Sequence, residues 1–501
     1  MTPVEHDAGS TEPGSSATGP ADIISPLRIA IVGGGIAGLA AAHRIRELRP
    51  DCAITLFEAS DHVGGALRTE RVDGFLLEYA ADSFVSNVPW GVDLCRRLGF
   101  EDQLIQTSEA HRRALVARGN QLYPVPEGFM LMEPRAIWPL LTTPLLSAAG
   151  KARLLAEYFV PARKSDGDES LASFARRRLG REAFERLVQP LVSGIYTADP
   201  EKLSLSATLP RFLEMEQRHG GLIRAARKQR TADASAQSGN AAGSAGGSGA
   251  RYALFVAPRD GMQSLTAALA AKLGSESIRL NARVAVLQPD GARGWNVQIA
   301  GDAQSQTFDA VVLATSSAVT AQLVRPWDAT MADNLAEIPY ASSAIALVGY
   351  ENTQIARPLD AFGFVVPDVE RREIIAASFS SVKFAGRAPL GKTLIRVFLG
   401  GAARPDLAQA PDDAIRAIVL RELGDLIGAR GEPCLFRVAR WPGAMPQYHL
   451  GHLDRVARIA ERVAAWPGLQ TAGNAYAGVG VPYCIRSGEL AAEAILKSPF
   501  P

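Results

Sequence analysis

The chain has 501 residues, 47% apolar and 21% charged, which is the composition of a globular protein with enough length for about three domains. Its 53 basic and 52 acidic residues leave a net charge of +1, without the basic excess of a nucleic-acid binder. The four cysteines, Cys52, Cys95, Cys434 and Cys484, are far apart and form no C-x-x-C pair, which argues against a disulfide framework and a zinc site.

Residues 1–26 are rich in Ser, Thr, Gly, Pro and Ala, carry four acids and no Lys or Arg, and lack the pattern of a secretory or mitochondrial signal. They read as a disordered leader. No apolar run reaches the ~20 residues that span a bilayer, so a cytoplasmic protein, at most attached to a membrane surface, is expected. A buried parallel strand is predicted at 27–32 (LRIAIV), followed by Gly33, Gly34, Gly35, Ile36, Ala37 and Gly38, a helix over 39–48, and a second strand at 53–57 (AITLF) ending in Glu58. Gly33, Gly35 and Gly38 have the G-x-G-x-x-G spacing. The first permits the turn, the second lets a pyrophosphate approach the backbone, and the third allows close strand–helix packing. The helix N-terminus offers free N–H groups to phosphates. Glu58, 20 residues after Gly38, can accept ribose hydroxyls, and its place there speaks against a 2′-phosphate.

The segment EASDHVGG at 58–65 adds a Gly-Gly pair after the acid, as in proteins that bind extended FAD. A strand at 308–315 (FDAVVLAT) returns to the same sheet. The small-residue run TAGNAYAGVGV at 471–481 precedes a helix, giving a second accessible N-terminus. Each segment alone is explained by a packing glycine; together they point to one discontinuous FAD domain. Residues 91–250 read as mainly helical, with amphipathic periodicity at 171–187. The stretch 231–250 reads as a flexible Gly/Ser/Ala linker. Short β-runs over 331–440 suggest a substrate-side sheet. The basic run Arg176, Arg177, Arg178 with Arg181 is expected to form a solvated helix face, a carboxylate funnel or an anionic-membrane patch being the minority alternative. His449 and His452 lack partners at ligand spacing and read as surface or hydrogen-bonded groups, and Cys484 reads as a buried thiol. No metal site is expected.

Several longer segments carry a family resemblance: VGGALRT at 63–69, DGFLLEYAADSF at 73–84, LVSGIY at 191–196, FGFVVP at 362–367, RWPGAMPQYHLGH at 440–452 and GVGVPYCI at 478–485. The chain resembles the oxygen-dependent porphyrinogen oxidases, which act on coproporphyrinogen III or protoporphyrinogen IX in haem biosynthesis, and is most similar to their bacterial coproporphyrinogen branch. The resemblance implies an α/β fold. A discontinuous Rossmann-like FAD domain (27–90, 251–330 and 441–501) would be joined to a helical region (91–250) and a substrate-binding region (331–440). It implies non-covalent FAD held by Gly33 to Gly38, Glu58, Ala59, Gly65, Ala66, Ala80, Ala81, Asp82, Ser83, Val284, Trp441, Asn474, Val479, Gly480 and Val481. Substrate-pocket positions fall on Gly194, Val365, Ile375 and Ile395. Two departures stand out. Ala80-Ala81 replaces the family's Gly-Pro, and Asn87 stands where a basic residue would anchor a propionate.

The implied reaction takes porphyrinogen to porphyrin in three two-electron cycles, with O2 reduced to H2O2. It needs no catalytic triad, because the cofactor carries the redox chemistry. The alternatives are a protoporphyrinogen oxidase, another FAD amine oxidase or desaturase, and a non-catalytic escort protein of the same fold.

Overall fold

The computed structural model describes residues 26–165, 167–237, 254–291 and 294–497. The expected leader, apart from Pro26, and most of the expected linker lie outside them. Arg28–Val32 is a fully apolar run after its first residue and is buried on both faces, as a central parallel strand requires. It pairs in parallel with Ala53–Phe57 on one side and Ala310–Leu313 on the other. Ile278–Arg279 and Leu469–Thr471 complete a five-stranded parallel sheet at its two edges. Five strands from four distant stretches of chain build one sheet. The helices Ile36–Leu48, Met262–Leu273 and Val481–Lys497 share an apolar core with one face of this sheet.

A second sheet of seven strands lies in the order Leu435–Pro446, Tyr340–Glu351, Lys392–Gly400, Ala376–Phe379, Gly363–Val365, Leu115–Arg118 and Gln121–Pro124. Leu115 and Val116 pair in parallel with Phe364 and Val365. The helix Asp412–Ile427 buries Ile415, Val419, Leu423 and Leu426 against one face of it.

The stretch expected to be mainly helical corrects in part. Residues 137–237 are helical for the most part, but 104–134 contains five short strands, two of which extend the second sheet. The helix Leu222–Gln237 also runs through the first seven residues of the expected linker. No helix among the described residues is long and apolar enough to cross a membrane.

The predicted basic face is also corrected at one position. On the helix Leu171–Leu179, Arg178 is 0% exposed. Its guanidinium bonds Glu157 through Nε at 2.8 Å and Glu216 at 3.2 Å. Glu157 in turn accepts the backbone N–H groups of Leu222 at 2.8 Å and Ile223 at 3.0 Å, capping the helix that begins there. One carboxylate thus ties three helical segments together. Replacing Glu157 by Ala removes one of the two carboxylates that meet a buried guanidinium, together with the helix cap, a loss of about 3 kcal/mol. The denaturation midpoint of Glu157→Ala is expected to fall steeply, while Arg181→Ala, at an exposed position, changes it little; equal midpoints for both would contradict the capping role.

Candidate functional site

The turn between the first strand and the glycine helix is fixed by backbone geometry. Gly33 has φ +108°, and a Cβ there would meet the carbonyl oxygen of Ala314 at 2.7 Å. At Gly38 a Cβ would meet the Gly33 carbonyl oxygen at 2.0 Å, so no side chain is admissible. Gly35 differs, because a Cβ there meets nothing within 4 Å. It is the N-cap of the helix Ile36–Leu48, which has no side-chain cap and no acid in its first turn, although that turn is buried. A buried, uncapped helix N-terminus facing open space is a cradle for an anion. Gly35 also forms an isolated parallel bridge to Gly64, and a Cβ at Gly65 would approach the Gly35 Cα at 3.3 Å.

Glu58 ends the second strand. Its Oε2 accepts the Gly34 N–H at 2.7 Å, and its Oε1 accepts the Ser60 N–H and hydroxyl, each at 2.8 Å. Its own carbonyl accepts the N–H of Ala282, two residues before Val284 at the start of the strand Val284–Asp290. The backbone therefore brings Glu58, Ser60 and Val284 to one end of the parallel sheet. Ala59 and Ala66 are exposed beside this end.

The C-terminal loop reaches the same region, because Ala472 donates to the Leu313 carbonyl and Gly473 to Ser487 Oγ at 3.0 Å. The segment that follows the seven-stranded sheet braces it. Tyr448 donates its hydroxyl to the Asn474 carbonyl at 2.5 Å and accepts the Gly478 N–H at 2.8 Å. His452 stacks on Tyr448 with centroids 4.0 Å apart, and its Nε2 lies 3.2 Å from the Tyr476 carbonyl, which it reaches as donor. Its Nδ1 is buried without a partner, and burial holds the ring down at about 4, so the imidazole is neutral. The role is hydrogen bonding, and the histidine is fully buried. Val479, Gly480 and Val481 lead directly into the C-terminal helix, with the Gly480 carbonyl accepting the N–H groups of Tyr483 and Cys484 at 3.0 Å each. Burial pushes the Cys484 thiol up to about 12, so it stays protonated and unreactive.

Between this region and the second sheet runs the turn Ala80, Ala81, Asp82, Ser83. Trp441 Nε1 donates to the Tyr79 carbonyl at 2.7 Å, and the Arg396 guanidinium bonds the Ala80 carbonyl, so the turn is pinned from the sheet. Asp82 pairs with Lys383 Nζ at 3.0 Å and Arg396 Nη1 at 3.2 Å. Although burial opposes ionisation, the two cations hold its carboxyl well below the usual range.

These groups open on a cleft of about 250 Å3 whose lining includes Asp82, Leu191, Gly194, Phe255, Phe364, Val365, Lys383, Arg396 and Phe398. Gly194 and Val365 face each other there, with Val365 Cγ1 3.5 Å from where a Gly194 Cβ would stand. Ile375 is half-buried one residue before the cleft-lining Ala376, against Gly401.

Two expected positions are not brought in. Ile395 is 0% exposed in the core under the helix Asp412–Ile427. Side chains alternate along a strand, so its neighbours Arg396 and Phe398 cannot share its face with equal ease, and Arg396 lines the cleft instead. Asn87 is exposed ahead of the helix Pro89–Leu98 and is not among the cleft-lining residues. Lys383 and Arg396 were missed in sequence, although an arginine inside the apolar run of Lys392–Gly400 is a visible signal. Charged residues are almost never fully buried unless paired. Among the described residues no group of three or more metal-ligating side chains occurs.

The model of the flavin containing amine oxidoreductase family matches residues 36–496. A coproporphyrinogen III oxidase of Propionibacterium freudenreichii is 35% identical, covering 99% of this chain and 94% of its own. That of Bacillus subtilis is 32% identical, covering 94% and 98%. Protoporphyrinogen oxidase 2 of Arabidopsis thaliana is 28% identical over 95% of each chain. A crystal structure of a protein from Exiguobacterium sp. 255-15 superposes with a TM-score of 0.82 at 29% identity, covering 94% of this chain and 98% of that one.

Two tests follow from the geometry. Gly35→Leu has room to fold, since nothing stands near its Cβ, but the side chain fills the anion cradle. The purified variant is expected to keep its far-UV circular dichroism, to melt lower than the flavin-loaded wild type and to lose its visible flavin absorbance; a yellow Gly35→Leu protein would refute the cradle. The second concerns acid stability. His452 is held at about 4 in the fold, below its ordinary 6.5, so the unfolded chain takes up a proton first as pH falls. Stability from this group is full above pH 6.5 and is lost between 6.5 and 4, by on the order of 3 kcal/mol. Denaturant titrations of wild type and His452→Gln across that range are expected to converge as pH falls; parallel curves would contradict the assignment.

Proposed function

The chain belongs to the flavin containing amine oxidoreductase family, and from that premise we propose that it oxidises coproporphyrinogen III to coproporphyrin III, with molecular oxygen as final electron acceptor. It is a flavin-dependent oxidoreductase. The observation that carries the substrate is the near full-length likeness to bacterial relatives named for coproporphyrinogen III. It is supported by an apolar cleft that meets the Ala80–Ser83 turn and is lined by phenylalanines and aliphatic side chains.

The residues fit FAD. The uncapped helix at Gly35 and the turn from Gly33 would hold its pyrophosphate, Glu58 its ribose hydroxyls, and the Val284 backbone its adenine. The Ala80–Ser83 turn, Trp441 and the loop from Asn474 to Val481 would hold the ring end. Bound there, the isoalloxazine supplies a two-electron acceptor that oxygen regenerates. Non-covalent attachment is supported by the burial of the Cys484 thiol, which pushes it up to about 12 and disfavours a thioether link there.

The chain's own task is orientation. Phe364, Val365, Phe398, Leu191 and the missing side chain of Gly194 form a slot for the apolar body of a macrocycle. The one carboxylate lining the cleft among the described residues, Asp82, is engaged by two cations. It is thereby kept from acting as a base of raised pKa. Proton release falls to the substrate's own pyrroles and solvent.

The substrate test compares coproporphyrinogen III with protoporphyrinogen IX at matched oxygen, following porphyrin fluorescence. Faster oxidation of the coproporphyrinogen is expected, by about tenfold if one extra carboxylate is paired. A preference for protoporphyrinogen would overturn the choice of substrate, and no turnover of either would overturn the reaction.

A further inference from the structure

Among the described residues, those lining the cleft carry more positive than negative charge: Lys383 and Arg396 face a single carboxylate, Asp82. Both cations are largely removed from water, with side chains 12% and 3% exposed. Just behind them Arg387 is 2% exposed and bonds only the carbonyls of Pro258 and Arg259 among the partners found, adding a third positive charge. Glu78 offsets part of this charge: burial raises its carboxyl to about 7, but it faces Arg387 and Arg396 and accepts the Met262 N–H and the Thr69 hydroxyl, each at 2.8 Å, so the excess left at the cleft is that of Lys383 and Arg396 over Asp82.

Excess buried positive charge is costly unless an anion meets it. Two details show that the cations are set for such a partner. Arg396 Nε is buried with no hydrogen-bond partner. Lys383 Nζ is held over the rings of Phe255 and Phe384, 5.1 Å from each centroid, so its stem is fixed while the ammonium remains at the cleft. A guanidinium and an ammonium separated by one carboxylate are a receptor for a second carboxylate.

We propose that Lys383 and Arg396 are the anchor for a carboxylate side chain of the substrate, with Asp82 holding the two cations apart and in place. The proposal rests on the porphyrinogen reading and supplies the cation that Asn87 lacks. The apolar cleft walls take the macrocycle, and the anchor takes one of its propionates, which sets how the ring presents its edge.

The experiment titrates the purified, flavin-loaded protein with coproporphyrin III and with its uncharged tetramethyl ester, following the porphyrin absorption band. Wild type is expected to bind the tetra-acid at least tenfold tighter than the ester. Lys383→Met should weaken the tetra-acid at least tenfold, leave the ester unchanged and keep the flavin spectrum, and Lys383→Arg should restore binding. Arg396→Gln should shift the tetra-acid in the same direction. An undiminished acid preference in both Lys383→Met and Arg396→Gln overturns the anchor while leaving the porphyrinogen reading intact. Loss of flavin from a folded Lys383→Met also overturns it, by placing the ammonium at the cofactor. If wild type binds neither porphyrin, the functional reading itself fails and the anchor falls with it.

Discussion

Two missing side chains let two helices and a strand share one small space. A Cβ at Gly38 would stand 2.0 Å from the Gly33 carbonyl oxygen, and one at Gly488 would stand 2.1 Å from the Ala37 carbonyl oxygen. The first contact seats the glycine helix on its own strand. The second seats the C-terminal helix on the glycine helix. Because both helices are held this closely, their N-terminal ends come to the same end of the parallel sheet, at Gly35 and Val481. Everything the site requires of the backbone follows from that approach.

The second sheet then contributes charge and shape. Its strands send Trp441 and Arg396 to the Ala80–Ser83 turn, where they bond consecutive carbonyls, those of Tyr79 and Ala80. The turn belongs to the part of the chain that builds the dinucleotide side, and its restraints come from the other side. The segment after Pro446 works in the opposite direction, since Tyr448 leaves the second sheet and clamps the loop between Asn474 and Gly478. Cofactor loop and cleft wall are therefore set by one run of residues, which explains why the segment from 440 to 452 is so distinctive in the sequence.

The dinucleotide start was legible because its signals are local: an apolar run, glycines at fixed spacing, a helix and an acid follow within thirty residues or so. The strands at Leu115–Arg118 and Gln121–Pro124 were not, because short strands are made by their partners. Leu115 pairs with Phe364 across the whole helical region. Ile395 shows a different limit. Alternation along Lys392–Gly400 separates two faces, but both are buried, so apolar character does not tell which one meets the cleft. The charged residue in that strand marks the face better than any apolar neighbour. Arg178 misled for the same reason in reverse: three adjacent arginines on a helix cannot all point to solvent.

The order of strands in the parallel sheet has a consequence for how the protein is made. The central strand Arg28–Val32 is synthesised early, its neighbour Ala310–Leu313 only after nearly three hundred further residues, and the edge strand Leu469–Thr471 close to the end. Until the last stretch leaves the ribosome, Ala310–Leu313 has an unpaired edge, and the apolar flank of the glycine helix lacks the helix that covers it. The strand edge stays open while residues 314 to 468 are made, and the helix flank stays open for longer, so the sheet closes only when the last stretch is in place.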